Sequence, residues 1–383
     1  MTYVEQPPFK PPSPTPPSDL NQNTKPTFLK NEPKLLKSTA DIILFLLASA
    51  FYILKAIFKY CLPKKYITLK ELNGEIALVT GGGSGLGRLI ALRLGKLGVK
   101  VVLWDVNVEG LNETVSLVKG IGGIAYGYRC DLSDKDDVYR VARKTKQEVG
   151  DVTLLINNAG VVSGSILLDT PDHMIKRTFD VNIVSHFWTV KAFLPAMIKK
   201  EHGHIVTVAS MAGHVGINKL VDYCSSKFAA VGFDEALRVE LEAQGVKGVK
   251  TTAVCPYFIT STGMFDSVDS RFLPRLNSND VADRIIEGIR ANETMVLIPG
   301  GMRWGLIMKS LIPWTVLSLF LRGLVPDAAP QPPQPITTLT SRPETKEVES
   351  EEELKDLDKN ISSSLTDSMC KLTHRYSPTG KNL

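Results

Sequence analysis

Residues 80–87 read Thr-Gly-Gly-Gly-Ser-Gly-Leu-Gly, and this stretch decides the fold. The short apolar run Ile76–Thr80 enters it as a predicted strand, and RLIALRLGKLG leaves it as a predicted helix from Arg88. Glycines allow a tight turn and a close approach of ligand to backbone, and the first turn of a helix attracts negative charge. A glycine cluster alone is a weak signal, because many turns contain one. Its place between strand and helix adds weight, and so does Asp105, 18 residues after Gly87 at the end of the next predicted strand. A carboxylate at about 20 residues past such a loop is placed to grip an adenosine ribose. It would repel a 2′-phosphate, which favours NAD over NADP. The competing reading of Asp105 is an ordinary turn residue at a strand end.

Outward from this point the chain alternates strand and helix. Short β-branched runs occur at Ile76–Thr80, Val99–Asp105, Gly123–Arg129, Val152–Asn157, His204–Ser210, Lys250–Pro256 and Met295–Pro299, with helical stretches between most of them. Apolar strands joined by crossover helices imply a parallel sheet covered on both faces. The expectation is a single doubly wound α/β domain over residues 71–300. Asp131, in Cys130-Asp131-Leu132-Ser133, ends the third strand. It can accept from an adenine amino group, or cap the next helix alongside Ser133. Asn157-Asn158-Ala159-Gly160 ends the fourth strand, where side-chain amides can tie adjoining strands and Gly160 can let a cofactor pass. A plain turn explains that piece equally well on its own.

Tyr223-Cys224-Ser225-Ser226-Lys227 opens a helix after the fifth strand. Tyr and Lys at i, i+4 share a face, and an ammonium beside a phenol lowers the phenol pKa, making tyrosine usable as an acid or base. Ser210 lies 13 residues earlier, at the strand end where open α/β sheets place ligands. Asn182, in the apolar FDVNIVSHF, can satisfy a neighbouring backbone group or hold a water. The pair His202 and His204 precedes a strand without a carboxylate or cysteine set, so turn and strand outweigh a metal site.

The ordered set TGGGSGLG, Asp105, Asp131, NNAG, Asn182, Ser210 and YCSSK resembles the short-chain dehydrogenase/reductase family over about residues 71–300. LWDVN, EVGDVTLLINNAG, VNIVSHFW, HGHIVTVASMAGH and YCSSKFAAVGF resemble its membrane-associated retinol and 17-beta-hydroxysteroid dehydrogenase branch. The resemblance implies a Rossmann fold and a tetrad. In that tetrad Tyr223 is the acid/base, and Lys227 lowers its pKa and holds the nicotinamide ribose. Ser210 bonds the substrate oxygen, and Asn182 anchors a water. It implies that Gly81, Gly85 and Gly87 cradle the pyrophosphate of NAD. Leu86, Asp105, Asp131, Leu132, Asn158, Ala159, Gly160, Pro256 and Ser261 complete the cofactor set, and no metal is called for. Where the family often has Pro-Gly followed by threonine, this chain has Pro256-Tyr257-Phe258-Ile259-Thr260-Ser261-Thr262. Thr260, Ser261 and Thr262 therefore all stand as candidates for the nicotinamide carboxamide.

Composition frames this domain. Of 23 prolines, nine lie in residues 1–33 and seven in 326–383, so the ends read as tails, proline-rich at 1–38 and acidic at 326–383. Residues 1–70 carry a net +6, 71–325 a net +2 and 326–383 a net −3, and the near-neutral centre argues against a nucleic-acid partner. Five scattered cysteines without a CxxC pair argue against a disulfide framework or zinc site. Ile42–Leu54 is 13 residues without a charge, within a hydrophobic anchor at 39–63. Lys55 and Lys59 share a face just beyond it. A short span with snorkelling lysines and a helix in the interface both fit, and membrane attachment is preferred over a core helix. A second apolar stretch, Ser310–Leu321 within residues 301–325, contains the kinking Pro313. It can dock on a membrane, cap a substrate channel or pack on the domain.

Tyr257–Leu276, with Phe258, Met264, Phe265, Phe272 and Leu273, is expected to form a lid over a lipophilic alcohol such as a retinoid, sterol or long-chain alcohol. The expected setting is the endoplasmic reticulum membrane or a lipid droplet, with a cytosolic catalytic domain and a homodimer. Two other classes compete with this one. A membrane or lipid-droplet structural protein that keeps the fold without turnover would not need Tyr223 and Lys227 together. A nucleotide-sugar epimerase or dehydratase usually needs a larger C-terminal domain than fits before Pro326.

Overall fold

Alternating apolar strands and amphipathic helices can bury their faces only by stacking in layers. A computed structural model describes residues 39–61, 68–260, 263–265 and 274–324. Strands β1 (Ile76–Thr80), β2 (Lys100–Asp105), β3 (Ile124–Arg129), β4 (Leu154–Asn157), β5 (Gly203–Val208), β6 (Val249–Pro256) and β7 (Met295–Ile298) form one sheet. The order is β3-β2-β1-β4-β5-β6-β7, and every neighbouring pair is parallel. Each predicted strand lies within about two residues of its observed bounds, the usual uncertainty of element ends.

Side chains alternate across a strand, so each strand feeds two cores. Ala77 and Val79 belong to one, closed by Ile90 and Leu94 of α2 (Gly85–Lys96), Val118 of α3 (Val108–Gly120) and Ile285 of α8 (Ser278–Arg290). Leu78 and Trp104 belong to the other, closed by Val141 of α4 (Lys135–Glu148), Phe193 of α6 (Ser185–Lys199) and Leu241 of α7 (Val221–Ala243). α5 (Asp172–Phe179) runs into α6 through a π-turn at Asp180–Val184. Together they make the one described helical run, Asp172–Lys199, long and apolar enough to cross a membrane. Half of its apolar window is buried, and α6 packs on the sheet, so it is a core element.

α1 (Thr39–Cys61) behaves differently. Its 23 residues make a helix of about 34 Å. Phe45, Leu47, Phe51 and Leu54 are all exposed, which excludes the core-helix reading. Lys59 has no described side chain, and Pro63 with both predicted tails lies outside the described residues. At the other end, the apolar stretch is broken at Pro313 into α9 (Met302–Leu311) and α10 (Trp314–Leu324), as a missing N–H and a fixed φ require.

The chain enters the domain at the N-terminal ends of the strands and is latched there. Lys70 N donates to Arg290 O at 2.8 Å, and Arg290 Nε returns a bond to Lys70 O at 3.1 Å. Lys70 Nζ lies 2.8 Å from His204 Nδ1 on β5, and His204 Nε2 lies 2.8 Å from Thr252 Oγ1. Thr252 donates onward to Glu293 O at 2.6 Å, so its oxygen accepts from His204 Nε2–H and Lys70 donates to Nδ1. Burial pulls the Lys70 ammonium down to about 8 and holds His204 well below its usual range. His204 is thus a structural residue, while His202 pairs with Glu75 at 2.8 Å.

Candidate active site

The sheet order reverses between β1 and β4, and open α/β sheets bind ligands in the crevice such a reversal leaves. Two elements build its rim. After β1 the backbone turns at Gly81, whose φ of +65° suits glycine, and re-enters as α2. A Cβ on Gly87 would stand 2.0 Å from Gly81 O, so helix and loop touch backbone to backbone. After β4, Asn158 Nδ2 donates to Thr80 O at 2.9 Å, and Thr80 Oγ1 accepts from Asn158 N at 3.0 Å and Ala159 N at 3.1 Å. This is the strand-tying expected of the NNAG run. Thr80 is its other half, which the sequence reading did not single out.

A cavity of about 300 Å³ follows this rim. Gly81, Gly85, Leu86 and Gly87 line one end together with Asp105, Asp131 and Leu132. Asn158, Ala159, Gly160, Ser210, Tyr223, Lys227 and Pro256 line the rest. Every predicted cofactor position but Ser261 is thereby gathered around one space, Tyr223 and Lys227 included, while Ser261 and Thr262 lie outside the described residues. Thr260 sits in the stem of the expected lid, its hydroxyl donating to Leu276 O at 3.1 Å.

Asp105 Oδ2 accepts from Gly83 N at 2.8 Å and Oδ1 from Asn107 N at 2.9 Å, so its carboxylate is fixed against the glycine loop. Arg88, on the first turn of α2, is engaged by Glu113 at 2.6 Å and by Gly83 O at 2.8 Å. Asp131 does not cap α4. Its Oδ1 accepts from Ser133 N at 3.0 Å and Ser133 Oγ at 2.7 Å, closing a local turn. Asp134 holds the cap instead, because three residues of turn separate Asp131 from the helix start.

At the other end of the cavity three of the four predicted catalytic side chains meet, Ser210, Tyr223 and Lys227. Ser210 lies past the end of β5, opening a short turn at Met211–Gly213, and its hydroxyl accepts from Ala212 N at 3.1 Å. It also shares a hydrogen bond with the Tyr223 side chain. Lys227 Nζ lies 5.7 Å from the Tyr223 ring centroid and donates to Val208 O at 2.9 Å. Burial raises the Tyr223 phenol above its usual range, opposed by the Ser210 bond, and pulls Lys227 down to about 8. The lysine effect expected from spacing alone is therefore outweighed by desolvation in the isolated chain.

Asn182 is not in regular helix but in the π-turn, where one extra residue per turn rotates it inward. Its side chain is fully buried. Oδ1 accepts from Val161 N at 2.8 Å, and Nδ2 donates to Val161 O at 2.9 Å and Ser226 Oγ at 3.0 Å. The amide thus satisfies a neighbouring backbone group, as one of its two readings expects. Sequence reasoning also missed Asp222. It is buried in the first turn of α7, accepting from Ser163 Oγ at 2.7 Å and Thr178 Oγ1 at 2.9 Å. An acid directly before the tyrosine was the available signal.

The expected lid is described in part. Tyr257, Phe258 and Phe265 are buried beside Tyr223, with Phe265 edge-on to its ring at 5.5 Å between centroids. Leu276 N donates to Phe258 O at 2.8 Å and closes the lid's base. Phe272 and Leu273 lie outside the described residues. Beyond β7 the described chain holds only α9 and α10.

A dinucleotide fits what the residues offer. The glycine loop brings its backbone to the cavity, two carboxylates mark one end, and a serine hydroxyl, a phenol and an ammonium mark the other. Comparison with known proteins agrees. The short chain dehydrogenase family matches residues 75–271. Epidermal retinol dehydrogenase 2 of Homo sapiens is 46% identical over 282 residues, covering 73% of this chain and 90% of that protein. Estradiol 17-beta-dehydrogenase 11 of Homo sapiens is 44% identical over 289 residues, covering 76% and 95%. A solved short chain dehydrogenase/reductase from Burkholderia phymatum, in complex with NAD, superposes with a TM-score of 0.59 at 27% identity, covering 70% of this chain and 99% of that one. The family match takes in β1 to β6 and every loop that walls the cavity, and so this chain belongs to the short chain dehydrogenase family as an NAD-dependent oxidoreductase.

Proposed function

We propose that this protein interconverts a lipophilic secondary or primary alcohol and its carbonyl at a membrane surface, with a retinoid, hydroxysteroid or long-chain alcohol as substrate. The observation that carries the reading is the meeting of Ser210, Tyr223 and Lys227 at one end of a cavity whose other end is the glycine loop and Asp105. Bound NAD would supply the hydride acceptor. Gly81, Gly85, Leu86 and Gly87 would hold its pyrophosphate, Asp105 its adenosine ribose, and Asp131 and Leu132 the adenine edge. Lys227 would hold the nicotinamide ribose, with Asn158, Ala159, Gly160 and Pro256 alongside and Ser261 or a neighbouring threonine at the carboxamide.

Tyr223 takes the hydroxyl proton in oxidation and returns it in reduction. Ser210 bonds the same substrate oxygen and steadies the charge that grows on it. Lys227, held against Val208 O, keeps two N–H groups for other partners and favours the phenolate. Asn182 fixes Val161 and the catalytic helix through Ser226, and through a remaining lone pair it can anchor a water in the proton relay. Phe258, Met264 and Phe265 wall the substrate end with apolar surface.

The named relatives support the retinoid and steroid classes. The exposed apolar α1 supports attachment to the endoplasmic reticulum membrane or a lipid droplet, with the catalytic domain on the cytosolic side. Exposed Phe187 on α6 and Phe228 on α7 suit a homodimer contact. In membranes containing the full chain, Tyr223→Phe should lower turnover of a retinol and steroid panel with NAD by about 10²–10⁴-fold. Equal rates for wild type and variant would end the reading.

A further inference from the structure

We propose that the α9–α10 hairpin is a lipid-facing portal. It rests on an anionic bilayer surface, and the space beneath it seats the hydrocarbon tail of the substrate on its way to Tyr223. The inference rests on the alcohol dehydrogenase reading above and adds the route by which substrate arrives.

Three observations converge. First, a cavity of about 730 Å³ lies under the hairpin, within the range of small-molecule sites, and its walls include Leu306, Ile312, Trp314, Leu317 and Phe320. Second, this cavity adjoins the catalytic one. Met211, Ile217 and Tyr257 are walls of both. A long substrate with its hydroxyl at Ser210 and Tyr223 has apolar space for its tail on the hairpin side. Third, the outer face of the hairpin is apolar and unpartnered. Trp304, Leu311, Trp314 and Leu319 are each at least 62% exposed, and Val316 is exposed beside them.

Charge decides the occupant. Met302–Leu311 and Trp314–Leu324 contain Arg303, Lys309 and Arg322 and no acidic residue. Arg303 and Arg322 are exposed, while Lys309 donates to His214 O and holds the hairpin to the loop beyond Ser210. Tryptophans beside cations on an otherwise apolar face are the composition of a helix lying in a lipid interface, where rings sit among headgroups and cations meet anionic lipid. A second copy of this chain would bring the same cations against themselves. Lipid on the outer face also lets the substrate leave the hydrocarbon phase without crossing water.

The full chain can be tested in vesicles of phosphatidylcholine and phosphatidylserine, plain or with brominated acyl chains. The chain has four tryptophans, Trp104, Trp188, Trp304 and Trp314, and none lies in α1, so quenching by bromine reports on the hairpin separately from the anchor. Loss of emission in brominated vesicles is expected, and the double variant Trp304→Phe/Trp314→Phe should abolish that loss. Emission indifferent to bromine, or quenching that survives in the double variant, overturns the portal. A second arm uses Leu311→Glu/Leu319→Glu, on positions that wall neither cavity. The KM for retinol dissolved in vesicles should rise about tenfold or more, with the KM and kcat for a short water-soluble alcohol unchanged. An unchanged KM for vesicle-borne retinol counts against the portal. Wild type that oxidises neither alcohol removes the dehydrogenase reading while leaving the quenching result to stand alone.

Discussion

Gly87 shows how one hydrogen atom in place of a methyl can hold a site together. Its added Cβ would meet Gly81 O at 2.0 Å and Asn158 Nδ2 at 2.8 Å, and both are parts of the crevice rim. Gly87→Ala should therefore cost about 1–3 kcal/mol of stability and weaken NAD binding further, as a thermal melt and a cofactor titration would read. Asp105 is the second such position. Asp105→Ser removes the carboxylate that faces the ribose end and frees the loop N–H groups it occupies. The ratio of kcat/KM for NAD over NADP should drop at least about tenfold. Wild type that uses NADP as well as NAD would refute the role given to Asp105. Residues of this kind are legible in sequence because backbone geometry leaves no other side chain at the turn and a single acid ends the strand. Their partners are not. Thr80 reads as any strand threonine until Asn158 and Ala159 are seen to donate to it.

At the scale of elements, α7 carries the chemistry and is held by its neighbours. Asp222 ties its first turn to Ser163 after β4 and to Thr178 of α5, and Ser226 ties its second turn to Asn182 in the π-turn. Three segments that wall the substrate end are thus referenced to one helix. Asp222→Asn keeps the shape but cannot accept both hydroxyl protons, so one hydroxyl must turn its proton away from the site, at a cost of about 1–3 kcal/mol. The expected signature is a fall in kcat with NAD affinity unchanged. An equal loss of both would mean that Asp222 merely supports the fold. The strands and most helices were predictable from period and β-branching. The π-turn was not, because an inserted residue leaves the apolar pattern of FDVNIVSHF looking like ordinary helix. Pro313 announced the break between α9 and α10, but not the cavity beneath them, which depends on packing between stretches some 90 residues apart, Met211 to Met302.

Across the whole molecule, two buried histidines tune stability to pH. His186 is held down to about 3 by burial and by Lys227, and its Nδ1 has no hydrogen-bond partner. In the unfolded chain a histidine takes up its proton near about 6.5. Between those values the unfolded state binds more protons, so stability is full above the upper value and falls as pH falls through the window. His204 acts in the same direction. The drop in melting temperature from about pH 7 to about pH 5 should be smaller in His186→Leu than in wild type, and an equal drop would dismiss the effect. The Lys70 latch has a different consequence, one of orientation. It fastens the chain that follows α1 beside His204, at the start of β5, while Ser210 and the portal loop lie past its end. Six strand residues separate the two by about 20 Å. Residues 62–67 offer at most about 25 Å of chain between α1 and the domain. If α1 anchors and the α9–α10 face receives substrate, as proposed, both meet one bilayer with the least stretch of this tether when the sheet reclines, its strands running along the surface rather than standing upon it.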